Sequence, residues 1–195
     1  MVPAAYAHDP FPFLQHTLAA GWLDPVMIAC SRACEGWAIA LCALAVALTG
    51  ERWGARAAIA AGTVLAALAL DGATVEVLKR LVDLPRPLAV LGAAHVRVLL
   101  EPLRAHSMPS GHASAAAVLA AYAVRRTRRA GAAACLLAIA GGLSRVYVGA
   151  HWALDVVAGW CLGILFGLAA AAAARAVIAR LDAARATALP ARATP

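Results

Sequence analysis

Charge is scarce in this chain. Asp, Glu, Lys and Arg make up 14% of its 195 residues, against a hydrophobic share of 64% and a mean hydropathy of +0.79. A soluble domain carries about a quarter charged residues, so the composition excludes an ordinary water-soluble fold. Lysine is nearly missing: sixteen of the seventeen basic residues are Arg, and Lys79 stands alone. No Cys-x-x-Cys pair occurs. The five cysteines (Cys30, Cys34, Cys42, Cys135 and Cys161) lie inside apolar runs without metal-ligand spacing. They read as small buried residues, which sets aside a disulfide framework and a zinc site. The net charge of +7 is not gathered into a basic stripe interleaved with aromatics, so nucleic acid is not an expected partner. Anionic headgroups and phosphate are the expected reasons for that charge. The N-terminus has no basic residues ahead of an apolar core, so no cleaved signal peptide is expected.

What the chain has in abundance is apolar runs of membrane-spanning length. They predict an all-α, polytopic membrane helical bundle of about five transmembrane helices, preceded by an N-terminal interfacial helix. The spans are expected at about 25–49, 55–78, 110–124, 130–147 and 152–174, with a tight turn at 50–54 between the first two. The third, rich in Ala, is short for a span. Residues 1–24 form the interfacial segment, with a helix over about 11–20 and Trp22 at headgroup depth. Residues 25–181 form the membrane-embedded domain, and 182–195 a cytoplasmic tail. Arg32 and Glu35 make an i, i+3 pair near a helix end. Asp71 lies inside the second span, where a carboxylate is expensive, and has no partner nearby in sequence. Residues 79–109 form a long polar connection with Pro85, Pro87, Pro102 and Pro109, of a length that usually carries function.

Alternating the five spans sorts the basic residues onto two faces. One face takes ten of them: Arg52, Arg56, Arg125, Arg126, Arg128, Arg129, Arg175, Arg180, Arg185 and Arg192. The other takes seven: Arg32, Lys79, Arg80, Arg86, Arg97, Arg104 and Arg145. The first face is cytoplasmic by the positive-inside rule. The margin widens to ten against four once Lys79, Arg86 and Arg145 are assigned to a site. The long connection and the turn at His151 then face outward together, which for a bacterial inner membrane is the periplasm.

Three separated segments meet on that outward face. Ser144 to Asp155 reads Ser-Arg-Val-Tyr-Val-Gly-Ala-His-Trp-Ala-Leu-Asp. A helix starting near His151 puts Asp155 one turn on, where its carboxylate accepts the imidazole Nδ1 proton and leaves Nε2 free to attack. Arg145, beyond the turn at Gly149, brings a guanidinium fork suited to phosphate oxygens. The second segment, Pro109-Ser110-Gly111-His112, opens a helix. Its first N–H groups are unpaired, Gly111 lets an anion come close, and Ser110 adds a hydroxyl. The third places Lys79 and Arg86 seven residues apart at the mouth of the second span. Together they make a cradle of three cations and backbone donors for a phosphate dianion. His151 would attack phosphorus, and His112 would protonate the departing alkoxide and later activate the water. No carboxylate cluster or His/Cys set at metal spacing accompanies them, so neither metal nor other cofactor is expected.

Lys-x6-Arg-Pro, Pro-Ser-Gly-His and Ser-Arg-x5-His-x3-Asp, in this order, resemble the three-part signature of the type-2 phosphatidic acid phosphatase superfamily, over roughly Leu70 to Gly163. The resemblance implies that Lys79, Arg86, Ser110, Gly111, His112 and Arg145 contact the phosphate. It also implies that His112 is the acid/base, His151 the nucleophile and Asp155 its orienting partner. It further implies a helical bundle and independence of metal. The expected function is an integral-membrane lipid phosphatase whose substrate keeps its tail in the bilayer. Undecaprenyl diphosphate is favoured, a little ahead of phosphatidic acid or phosphatidylglycerol phosphate. Lipid A dephosphorylation, transfer to another lipid, and the vanadate haloperoxidase chemistry of the same superfamily are alternatives. An anion-binding membrane transporter is the alternative from another class.

Overall fold

The computed structural model describes residues 2–49 and 54–188. The expected turn at 50–54, apart from Gly54, and the last seven residues of the expected tail lie outside them, as do Arg52 and Arg192. After a short 3-10 turn at Ala4–Tyr6, the described elements are eight helices: α1 (Phe11–Leu18), α2 (Asp24–Ala33), α3 (Gly36–Leu48), α4 (Ala55–Val82), α5 (Pro87–Leu91), α6 (Gly111–Ala123), α7 (Arg128–Tyr147) and α8 (Ala153–Ala188). The chain is all-helical among the described residues, as expected.

Three stretches, Ala55–Leu91, Arg128–Tyr147 and Ala153–Thr187, are long and apolar enough to cross a membrane. A fourth is a bent pair, α2 and α3, which meet at 65°. The bend falls at Cys34–Glu35, where Glu35 leaves helical geometry (φ −64°, ψ 145°). Its carboxylate closes the expected pair with Arg32 at 2.7 Å. The third expected span differs. Helix α6 has 13 residues, which at 1.5 Å per residue reaches only about 20 Å of a roughly 30 Å hydrocarbon core. It needs no greater length because it is the axis of the bundle. Every residue from Ala116 to Ala123 is buried, and α3, α4, α7 and α8 all pack on it. In the three long spans, by contrast, between 28% and 50% of the most apolar window is buried by protein. The remainder, including Leu65, Leu136 and Leu165, faces outward, where lipid is the compatible solvent.

Backbone proximity makes the axis possible. Gly159, Gly163 and Gly167 recur every fourth residue on α8, so they line one stripe. A Cβ added to them would come within 2.5, 2.1 and 2.4 Å of the carbonyl oxygens of Ser110, Ser114 and Val118 on α6. Small residues let membrane helices touch by their backbones, where dispersion contacts and not water expulsion drive association. The stripe also sets the height of the α6 N-terminus against the α8 N-terminus, since Gly159 meets Ser110 itself. Ser110 N–H donates to the Asp155 carbonyl at 2.9 Å and closes the same seam.

Packing of this kind tolerates no added methyl. Gly163→Ala is expected to cost about 1–3 kcal/mol and to lower the thermal midpoint in detergent. Gly62→Ala, where a Cβ meets nothing within 4 Å, should leave the midpoint unchanged or raised. Equal midpoints for the two variants would contradict the α6–α8 seam.

Candidate active site

The turn between α7 and α8 carries the imidazole expected to react. Gly149 takes φ +79° and passes so close to the Arg97 carbonyl that a Cβ would lie 2.5 Å from it. Turning there lets the N–H groups of Ala150 and His151 both donate to the Arg145 carbonyl, at 3.0 and 3.2 Å. Arg145 and His151 are thereby tied by backbone although six residues apart. Helix α8 starts at Ala153, and Asp155 Oδ2 stands 3.2 Å from His151 Nδ1, the expected i, i+4 pair.

On the other side of the ring, Arg86 Nη1 lies 3.1 Å from His151 Nε2. A guanidinium only donates, so Nε2 presents its lone pair to Arg86 and the proton sits on Nδ1, facing the carboxylate. The imidazole is 2% exposed. Burial is the main cause that lowers its pKa to about 3; Asp155 pulls it upward, and Arg86 and Arg145 push it further down. The ring is therefore neutral at physiological pH, with a free base directed at the cations.

Those cations converge as the motifs implied. Arg86, the residue before α5, is 5% exposed. It is locked by carbonyls: Nε donates to Ala105 at 2.8 Å, Nη1 to Ala150 at 2.8 Å and Nη2 to His106 at 3.4 Å. Arg145 is equally buried. Its Nη1 donates to the Ser31 hydroxyl of α2, and its Nε has no partner. Lys79, half-buried near the end of α4, lies within electrostatic reach of Arg86, Arg145 and Asp155. His112, in the first turn of α6, feels Arg145, Lys79 and Arg86. Ser110 holds the N-cap position of α6 but caps nothing: its side chain makes no hydrogen bond to the helix. Its hydroxyl is buried without a partner. A Cβ on Gly111 would meet only Val75, at an ordinary 3.5 Å, so no packing within the protein demands glycine there. All eight residues singled out in the sequence thus gather at one end of the bundle.

A cavity of about 230 Å³ opens beside His112, lined also by Cys34, Leu68, Asp71, Val75 and Ala115. Asp71 has a partner that lies far off in sequence: the Ser114 hydroxyl of α6 donates to it at 2.6 Å. His106, with φ +53°, sits 3.0 Å from Asp83 on the exposed rim.

Several site residues carry no sequence motif. Asp155 has no solvent exposure, and four groups converge on it. Tyr6 Oη donates to Oδ1 at 2.6 Å, Ser107 Oγ to Oδ2 at 2.5 Å, the Trp152 N–H to Oδ2 at 3.0 Å, and His151 completes the set. Ser107 belongs to the long connection, whose length was a signal of function. Nothing in the local pattern marked Tyr6, which lies in the expected interfacial segment, outside all three motifs.

A family model described as the PAP2 superfamily matches residues 60–178. Among solved structures, the crystal structure of Aquifex aeolicus LpxE is similar at 24% identity and a TM-score of 0.72, covering 87% of this chain and 98% of that one. The crystal structure of a transmembrane PAP2 type phosphatidylglycerolphosphate phosphatase from Bacillus subtilis is similar at 21% identity and a TM-score of 0.64, covering 86% of this chain and 87% of that one. At these identities the likeness is one of fold. No curated protein matches.

The buried neutral imidazole makes stability depend on pH. In the unfolded chain His151 has its ordinary value of 6.5, and in the folded protein about 3. Between those values the unfolded state binds the extra proton, so stability rises with pH across the window. The contribution of His151 is complete above 6.5 and is lost as pH falls toward 3. The thermal midpoint should therefore drop on acidification, and His151→Asn should drop less steeply; identical slopes would refute the buried neutral ring.

Proposed function

The chain belongs to the PAP2 superfamily, and from that premise we propose that it is a lipid phosphatase of the bilayer, hydrolysing a phosphomonoester or diphosphate through a phosphohistidine without a metal. The phosphate enters the cradle of Lys79, Arg86 and Arg145, and takes further donors from the Ser110 hydroxyl and the first N–H groups of α6. With its carbonyl contacts kept, the Arg86 Nη1–H that faces His151 Nε2 passes to a phosphate oxygen as phosphorus approaches that nitrogen. Nε2 then forms a bond to phosphorus while the bond to the lipid oxygen breaks, and His112 supplies a proton to that oxygen. Asp155 holds the Nδ1 proton and offsets the positive charge that develops on the ring. In the second half, His112 takes a proton from water, the water oxygen bonds to phosphorus, and inorganic phosphate leaves as His151 is regenerated.

One observation carries this reading. Ser110 Oγ and Arg145 Nε are the two buried side-chain polar atoms without a partner among the described residues. Each such group costs about 1–3 kcal/mol when left unpaired. Both are donors, both belong to the motifs, and a phosphate oxygen satisfies them together. The concentration of positive charge round them supplies the electrostatic stabilisation that a bound metal supplies elsewhere.

The substrate class follows from the surroundings. The cavity beside His112, where the leaving oxygen has to lie, continues along Leu68, Val75 and Ala115 between helices, which suits a tail that stays in the bilayer. We place undecaprenyl diphosphate first and phosphatidic acid or phosphatidylglycerol phosphate next; the last is what the Bacillus subtilis relative of this fold acts on. The location is a bacterial inner membrane with the site toward the periplasm. Of the four outward cations not assigned to the site, Arg32 pairs with Glu35 and Arg97 with Asp24, which deepens the charge asymmetry.

Purified protein in detergent, given a panel of lipid phosphates, tests this. His151→Ala should bring phosphate release to background, and His112→Ala should lower kcat by about 10²–10⁴-fold, with both variants folded. An anion transporter would instead keep its flux when His151 is replaced. Release should also persist in EDTA; recovery only on adding a divalent cation would contradict the metal-free mechanism.

A further inference from the structure

The N-terminal segment does more than lie on the bundle. Tyr6 is 2% exposed. Its ring stacks on Trp152 at 4.6 Å and 15°, and Phe11 meets the same indole edge-on at 5.4 Å. The indole is itself anchored, with Nε1 donating to the Pro85 carbonyl at 2.9 Å. Three residues after Tyr6, Asp9 accepts from the N–H groups of Ala153 and Leu154, at 3.1 and 2.9 Å, and of Phe11 at 2.9 Å. Helix α8 is thus capped by a carboxylate from 144 residues away, in the turn that carries Asp155. Gln15 extends the attachment, donating to the carbonyls of Arg97 and Tyr147 and accepting from the Arg97 N–H.

We propose that Tyr6 is a positioning residue for the phosphoryl transfer: its hydroxyl fixes the Asp155 carboxylate that orients His151, and residues 3–15 are the clasp that holds it there. Among the described residues Tyr6 alone hydrogen-bonds Oδ1, at 2.6 Å, whereas His151, Ser107 and the Trp152 N–H share Oδ2. A carboxylate held at only one oxygen pivots about that oxygen. Holding the other sets the plane of the group, and with it the direction in which the Nδ1 proton points and the line along which Nε2 meets phosphorus. Burial and the neighbouring carboxylate both raise the pKa of the Tyr6 phenol, so it stays a donor throughout the working range. The hydroxyl makes its hydrogen bond to Asp155, and it acts through that carboxylate.

The inference rests on the proposed phosphatase reading, and two readouts keep the two apart. Tyr6→Phe keeps the ring that stacks on Trp152 and removes only the hydroxyl. We expect kcat for phosphate release per folded protein to fall about 10- to 100-fold, with KM within about twofold because no phosphate contact is lost. The downfield proton resonance of His151 Nδ1–H, identified by its loss in His151→Ala, should shift in Tyr6→Phe. Ser107→Ala, which frees Oδ2 from a different element, should move both readouts in the same direction. An unchanged kcat or an unchanged resonance in Tyr6→Phe overturns the positioning role, whatever happens to the thermal midpoint. Should the wild type release phosphate from no lipid, the phosphatase reading falls and the resonance alone decides the inference.

Discussion

Asp155 is a carboxylate with no access to water, and the site is arranged by the need to satisfy it. An ionised carboxylate removed from solvent carries a penalty of several kcal/mol unless donors replace its hydration. The chain meets that need from four directions: an N-terminal phenol, a serine of the long connection, a backbone N–H of its own turn, and the imidazole of His151. The donors come from three parts of the structure, the N-terminal segment, the long connection and the turn between α7 and α8, so the carboxylate ties them into one cluster. The His151 imidazole is oriented as a consequence.

A second constraint follows from the cations. Lys79, Arg86 and Arg145 lie close enough to repel one another in a medium that screens poorly. The Arg86 guanidinium is restrained by three carbonyls, and that of Arg145 by the Ser31 hydroxyl, while the Arg145 carbonyl accepts from the N–H groups of Ala150 and His151. Among the described residues, what remains unpaired is a buried guanidinium N–H and a buried hydroxyl, both belonging to the motifs. Rigid, converging donors that do not have to reorganise are the property a site needs to stabilise charge on a transferring phosphoryl group.

The bundle makes such convergence possible with a short central helix. Alanine and glycine let α6 and α8 approach until backbones touch, and the seam runs directly into Ser110 and Asp155. The geometry of the candidate site and the helix packing are therefore the same contacts at different depths. The membrane supplies the outer wall for the long helices, while α6 is covered by protein on nearly all sides and has no bilayer thickness to match.

How much of this could be read from the chain depends on the range of the interaction. Scarce charge and long apolar runs determined a membrane helical bundle, because backbone groups in lipid must pair within a helix. Local spacing determined that His151 and Asp155 meet at i, i+4 where a helix begins, and that Ser110–His112 opens a helix. It also named every residue of the cradle, since each motif lies within one turn of an element boundary. Even the Gly159–Gly163–Gly167 stripe was open to reading as a four-residue repeat. What only the tertiary structure decided is who meets whom across the chain: Tyr6 and Ser107 on Asp155, Asp9 on the start of α8, Ser31 on Arg145, Ser114 on Asp71. The reason is physical. Burying a charge creates a demand for donors but does not specify where along the chain they come from, and any hydroxyl that the folded backbone brings within reach can answer it.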